Sequence, residues 1–143
     1  MGALVDSSAF VAVEKAEPGR DWLKRALSND GGLFVNAVIV AEPQLGVALA
    51  PTVPVALARQ KTLDWALRAG LLDIGRETAH HYAEINAILW RTKKSRLRNN
   101  DIWIAATARE HKLPLITVNH RDFFDIEGLT LVGVDASPPL NAP

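Results

Sequence analysis

The chain has 143 residues, 48% of them hydrophobic, which bounds it to one domain able to bury roughly two-thirds of its unfolded surface. Lys plus Arg and Asp plus Glu are equal at 16 each, so net charge announces no nucleic-acid partner, and any such binding must come from a local patch. Cysteine is absent, which excludes disulfides, thiolate chemistry and cysteine-bound zinc. The apolar runs are too short to cross a bilayer, the N-terminus carries no signal-peptide pattern, and Asp6 stands where a myristoylation signal places Ser or Thr. The expectation is a soluble, cytoplasmic protein with no membrane contact.

Leu4 and Val5 read as a short buried strand, and Ser7 or Ser8 can cap the helix that carries Phe10, Val11 and Val13. Pro18 and Gly19 break that helix, and a second runs over 21–27 with Trp22, Leu23, Ala26 and Leu27 at helical spacing. A turn at 29–32 leads into a strand at 33–35, after which Asn36 is placed as the N-cap of a helix containing Glu42. The pattern continues with a helix over 55–69 ended by Gly70, a strand at 71–74 and a long helix over 77–90. A basic stretch at 91–98 precedes a helix over 101–111, capped by Asn99 or Asn100. Strands at 115–118 and 129–134 follow. Residues 1–135 make the domain, and 136–143 form a tail without structure signal.

Short strands alternating with helices predict a central parallel sheet of four to five strands, flanked by helices on both faces. In such a sheet ligands bind outside the carboxyl ends of the strands, where the strand order reverses. Asp6 follows the first strand and Asp122 follows the strand at 115–118 by a short polar loop, while Glu42 and Asp101 lie early in helices. Taken singly, each acid has an ordinary role: Asp6 as a cap, Asp101 as a macrodipole partner, Glu42 as a solvated helix residue, Asp122 as a turn former. Together they converge on one crevice. Four converging carboxylates repel one another unless a cation neutralises them, and an all-oxygen set suits Mg²⁺ or Mn²⁺. Asp6 and Asp101 are the expected direct ligands, with Glu42 and Asp122 holding waters around the ion or activating one.

The same residues resemble a known family. Leu4-Val5-Asp6-Ser7-Ser8 is similar to the opening motif of PIN-domain proteins, and the run from Asn36 to Glu42 resembles their second. Asn100-Asp101-Ile102-Trp103-Ile104-Ala105-Ala106 resembles the third motif, and Thr117-Val118-Asn119-His120-Arg121-Asp122 the fourth. The short single-domain form is similar to the VapC-type toxins of toxin–antitoxin pairs. That resemblance implies a Mg²⁺- or Mn²⁺-dependent endoribonuclease, dimeric and inhibited by a cognate antitoxin. It implies metal binding by Asp6 and Asp101, an acidic pocket completed by Glu42 and Asp122, and support from Ser8, Asn36 and Asn119. Pro43 departs from the family's usual leucine, and a proline inside a helix costs about 3 kcal/mol, which bears on where Glu42 points.

The basic stretch supplies candidate RNA contacts at Lys93, Lys94, Arg96 and Arg98, with Arg121 as a further one. Histidines are expected outside the site, His120 exposed in its loop, and the four tryptophans in the core or at a dimer interface. An aspartyl phosphatase would need a second acid two residues after Asp6, where Ser8 stands. The alternative function is a catalytically weak PIN-like module that binds RNA or a protein partner.

Overall fold

The computed structural model describes residues 2–28, 31–93, 97–124 and 126–132. The chain begins with β1 (Ala3–Val5), whose three residues are entirely buried, as the central strand of a parallel sheet must be. Then come α1 (Ser7–Glu14), α2 (Asp21–Leu27), β2 (Leu33–Asn36), α3 (Ala37–Ala48) and α4 (Val53–Leu67). β3 (Gly70–Leu72), α5 (Arg76–Thr92), α6 (Asn99–His111), β4 (Leu115–Ile116) and the single turn α7 (His120–Phe123) complete the order.

All strands pair in parallel, in the order β3-β2-β1-β4. Leu4 lies between Phe34 of β2 and Leu115 of β4. The chain therefore steps outward from β1 to β3 and then returns to the other side of β1. Right-handed crossovers put α1–α4 on one face of the sheet and α5–α6 on the other. In the helix packing α3 lies against α4 with α1 beside both, α5 lies against α6, and α3 also meets α6. Leu4, Phe10, Leu23, Ile39, Ile104, Leu115 and Ile116 are fully buried, filling both sides of the sheet. In α6, Ala105, Ala106 and Ala108 are buried together with Ile102 and Ile104, so this helix is enclosed on most sides and fixed accordingly.

The turn from one strand to the next falls at the carboxyl end of β1 beside β4, and this reversal point is where the crevice opens.

Several boundaries differ from expectation, each for a local reason. Gly70 does not end α4; it opens β3, because the Phe34 ring covers it and a Cβ there would approach that ring to 2.8 Å. α4 starts at Val53, since the Thr52 hydroxyl accepts from Val55 N–H at 3.4 Å and Pro54 suits a first turn. β4 stops at Ile116 rather than residue 118. The strand expected at 129–134 is a single parallel bridge from Leu115 to Leu131 among the described residues, and 133–134 lie outside them, as do residues 136–143. Asp6, not Ser7 or Ser8, holds the N-cap position of α1. At α6 the cap is Arg98 rather than either asparagine. α3 runs through Pro43 without a break.

Candidate active site

The first acid is fixed by hydroxyls. Asp6 is only 3% exposed and occupies the N-cap of α1, yet its side chain makes no capping bond to that helix. Instead Oδ2 accepts from Ser8 Oγ at 2.7 Å and from Thr117 Oγ1 at 2.9 Å. Thr117, fully buried just past β4, also accepts the Asn119 N–H at 3.0 Å. Both hydroxyl donors meet one carboxylate oxygen, which fixes the side chain's orientation and keeps Oδ1 outside these bonds. A carboxylate used merely as a cap would have been spent on the helix amides.

The second and third acids are spaced by a buried amide. Asn36, fully buried at the end of β2, accepts from Ile39 N–H through Oδ1 at 2.9 Å and so caps α3. Its Nδ2 donates to Thr107 Oγ1 of α6 at 2.9 Å, while that hydroxyl donates to the Trp103 carbonyl at 2.8 Å. One side chain thus joins the helix bearing Glu42 to the helix bearing Asp101. Glu42 is exposed, and its Oε2 accepts from Ser7 Oγ of α1 at 2.5 Å. Pro43 is buried behind it, so the proline anchors this turn of α3 while the glutamate faces outward.

Asp101 sits in the first turn of α6, half-buried, and accepts the Arg98 N–H at 3.3 Å. Burial raises its pKa, the Arg98 bond opposes this, and the charges of Asp6, Glu42 and Asp122 raise it further. Asp122 lies half-buried in α7, its N–H held by the Asn119 carbonyl at 3.0 Å.

The acids do not close on a point. Among the described residues no three acidic or histidine side chains stand close enough to enclose an ion by themselves. An octahedral cation that takes one or two carboxylates and keeps several waters fits this looser set of oxygens, whereas a closed structural zinc site does not.

Of the supporting residues, Ser8 and Asn36 contribute side-chain bonds and Asn119 contributes its backbone, its side chain making no cap to α7. Sequence reasoning gives Ser7 a capping role only and misses Thr117 as a site residue. A hydroxyl at the carboxyl end of the strand beside β1 is the signal that would have found Thr117. Lys93 is the left-handed C-cap of α5, Arg98 is the N-cap of α6 and Arg121 lies in α7, all three exposed. Lys94 and Arg96 lie outside the described residues. His120 is not solvent-exposed as expected: it is half-buried, with its ring 5.3 Å from that of Trp22. Burial lowers its pKa, a backbone bond at Val132 opposes this and Arg20 adds to it. Trp22 is buried and Trp65 meets Phe10 edge-on at 4.9 Å, but Trp90 is 78% exposed.

An open parallel sheet with acidic residues near the carboxyl ends of its strands defines the class: an α/β domain with its acidic residues at the reversal point of the sheet. The PIN domain profile matches residues 3–129, and the chain belongs to the PIN domain family. Ribonuclease VapC5 of Mycobacterium tuberculosis is 32% identical over 131 residues, 92% of either chain. Ribonuclease VapC1 of Rickettsia felis is 25% identical over 138 residues, 95% of this chain and 98% of its own. Among solved structures, the toxin–antitoxin complex VapBC-5 of Mycobacterium tuberculosis superposes with a TM-score of 0.70 at 28% identity, over 92% of this chain and 98% of that one. VapBC2 of Rickettsia felis, bound to a promoter DNA fragment, reaches 0.76 at 24% identity over the same shares, a likeness of fold. No helix among the described residues is long and apolar enough to cross a membrane.

Proposed function

We propose that the chain is a Mg²⁺- or Mn²⁺-dependent endoribonuclease, the toxin of a VapC-type toxin–antitoxin pair. The observation that carries this reading is the buried Asp6 carboxylate at the carboxyl end of β1, fixed by the Ser8 and Thr117 hydroxyls in a chain that matches the PIN domain over residues 3–129. Relatives named as ribonucleases over nearly the whole chain support the substrate class.

Asp6 and Asp101 are the residues that would hold the ion. A bound divalent cation supplies polarisation of the phosphate, stabilisation of the charge that develops on its oxygens, and a more acidic water. The chain's own residues do the rest. Ser8 and Thr117 keep Asp6 in one orientation, and the Asn36–Thr107 bond keeps α3 and α6 at a fixed separation. In this reading Glu42 and Asp122 would orient the attacking water and accept its proton. Against the reading of a catalytically weak module we set α3, which runs unbroken through Pro43, and the bond that Ser7 donates to Glu42.

Leu45, Leu49, Val53 and Leu57 leave an apolar strip exposed along α3 and α4. Such a strip marks a protein-contact surface, and the relatives solved with their antitoxins make a cognate antitoxin the occupant we favour. We further propose a homodimer in the cytoplasm, which sedimentation of the antitoxin-free chain tests.

The deciding experiment is cleavage of a structured RNA panel with Mg²⁺, Mn²⁺ or EDTA. Cleavage that EDTA and Asp6→Asn both abolish is expected. RNA binding without cleavage in every metal would sink the nuclease.

A further inference from the structure

A second feature adjoins the acidic crevice and is not part of it. Between α1, α3 and α4 lies a cleft of about 220 Å³ whose one end is the Ser7–Glu42 pair. Val11 and Pro43 give it apolar walls, and two cations, Lys15 and Arg59, line it together with the carboxylates Glu14 and Glu42. Neither cation makes an ion pair among the described residues. Glu14, the other acid of the cleft, is engaged by the Thr62 hydroxyl.

Arg59 has a structural duty as well. Its Nη1 donates to the Gly46 carbonyl at 2.7 Å, in the last turn of α3, where helix carbonyls lack amide partners and a cation suits the dipole. That bond uses one of five guanidinium N–H donors and immobilises the rest of the group beside the cleft. Lys15 has no such duty: it stands at the C-cap of α1 and its backbone N–H is what bonds to the helix.

Four carboxylates at the crevice repel an RNA backbone everywhere except at the bound metal. Cations a short distance along the strand's path offset that repulsion. From Ser7 to Lys15 is eight residues of helix, on the order of 12 Å, far enough to meet a phosphate a few nucleotides from the cleaved bond. We infer that the cleft between α1, α3 and α4 is an RNA-backbone subsite, in which Lys15 and Arg59 hold a phosphate flanking the scissile one. The inference rests on the ribonuclease reading and adds to it where the substrate strand leaves the metal.

The test is fluorescence anisotropy of a labelled oligouridine, with Mg²⁺ and with EDTA, over a salt series. Wild type, Lys15→Gln, Arg59→Gln and the double variant are compared. Each lost phosphate contact should weaken binding about fivefold at 0.1 M salt and lower the slope of log K against log salt by about 0.7, the single-strand value. The double variant should lose about twice that slope. Lys15→Gln should melt at the wild-type temperature, so it decides the matter alone if Arg59→Gln destabilises α3. In cleavage assays the variants should raise KM and spare kcat. Wild-type affinity and salt slope in both single variants would overturn the subsite and leave Arg59 as a helix cap only. Absence of metal-dependent cleavage, with binding that still depends on both cations, would refute the nuclease and keep the subsite. An oligouridine that wild type does not bind at all overturns the subsite and leaves the nuclease to the structured RNA panel.

Discussion

Replacing Thr117 by valine separates the support of the site from its ligands. The two side chains have the same shape, so packing at this fully buried position is kept while the hydroxyl is lost. The Asp6 carboxylate loses its 2.9 Å donor, and the Asn119 N–H loses its 3.0 Å acceptor. A hydrogen bond to a charged group contributes about 1.5–3 kcal/mol and an orphaned amide costs about 1 kcal/mol or more, which together make a loss of roughly 3 kcal/mol. For a domain of this size that corresponds to a fall in melting temperature of roughly 10 °C, within the stability of a folded domain, about 5–15 kcal/mol. With only Ser8 still bonded to Oδ2, Asp6 gains freedom to rotate. Loss of a partner that orients a metal ligand weakens metal affinity about 10- to 100-fold. The assay is RNA cleavage as a function of Mg²⁺ concentration, beside urea unfolding of the metal-free protein. The expected result is a midpoint moved to higher Mg²⁺, with activity largely restored at saturation. A valine variant with a wild-type Mg²⁺ midpoint refutes the argument that Thr117 positions Asp6.

Asp101→Asn should abolish cleavage and yet, in EDTA, raise the unfolding midpoint above wild type at neutral pH. Native Asp101 binds its proton more tightly than the unfolded chain does, so its contribution to stability falls as pH rises through the carboxylate range, and the amide removes that cost; an equal or lower midpoint counts against the crowded crevice. Asn36→Ala removes both a helix cap and the Thr107 contact, and should cost about 2–4 kcal/mol by chemical denaturation, together with most of the activity. His120 is held below its usual pKa, so the unfolded state takes up the extra proton and stability is lost as pH falls below 6.5; unfolding of His120→Gln should show a flatter profile in that window, and an unchanged slope would refute it. Pro43→Ala restores an amide donor inside α3 and should raise the melting temperature without altering cleavage by more than a fewfold; a large loss of cleavage would show that the proline sets the direction of Glu42.

The parts of the site that could be read from the sequence are those whose local context is self-sufficient. Asp6 stands at the end of an apolar run, and Asn36 precedes an apolar helical pattern, so strand end and helix cap identify themselves within a few residues. Thr117 did not, because a threonine inside Leu115-Ile116-Thr117-Val118 counts equally well as strand. Only its adjacency to β1, a contact across 111 positions of chain, makes it an Asp6 donor. Gly70 misled for the same reason: glycine after a helical stretch ends a helix unless an aromatic ring from another strand needs the space. The cap of α6 went to Arg98 instead of an asparagine since Asp101, three residues on, reaches back past Asn99 and Asn100 to the Arg98 amide. Lys15 and Arg59 carry no motif. They come together only because α1 packs on α4.

The position of β4 next to β1 has a consequence for the order in which the molecule comes into being. The first carboxylate is translated almost at once, but the threonine that orients it is near the far end of the chain, and β1 lacks one of its two neighbours until residues 115–116 have emerged. A ribosome-bound fragment can therefore carry three of the four acids, Asp6, Glu42 and Asp101, with no finished crevice. Asp6 is oriented only once β4 has paired with β1 and the Thr117 hydroxyl has reached its carboxylate.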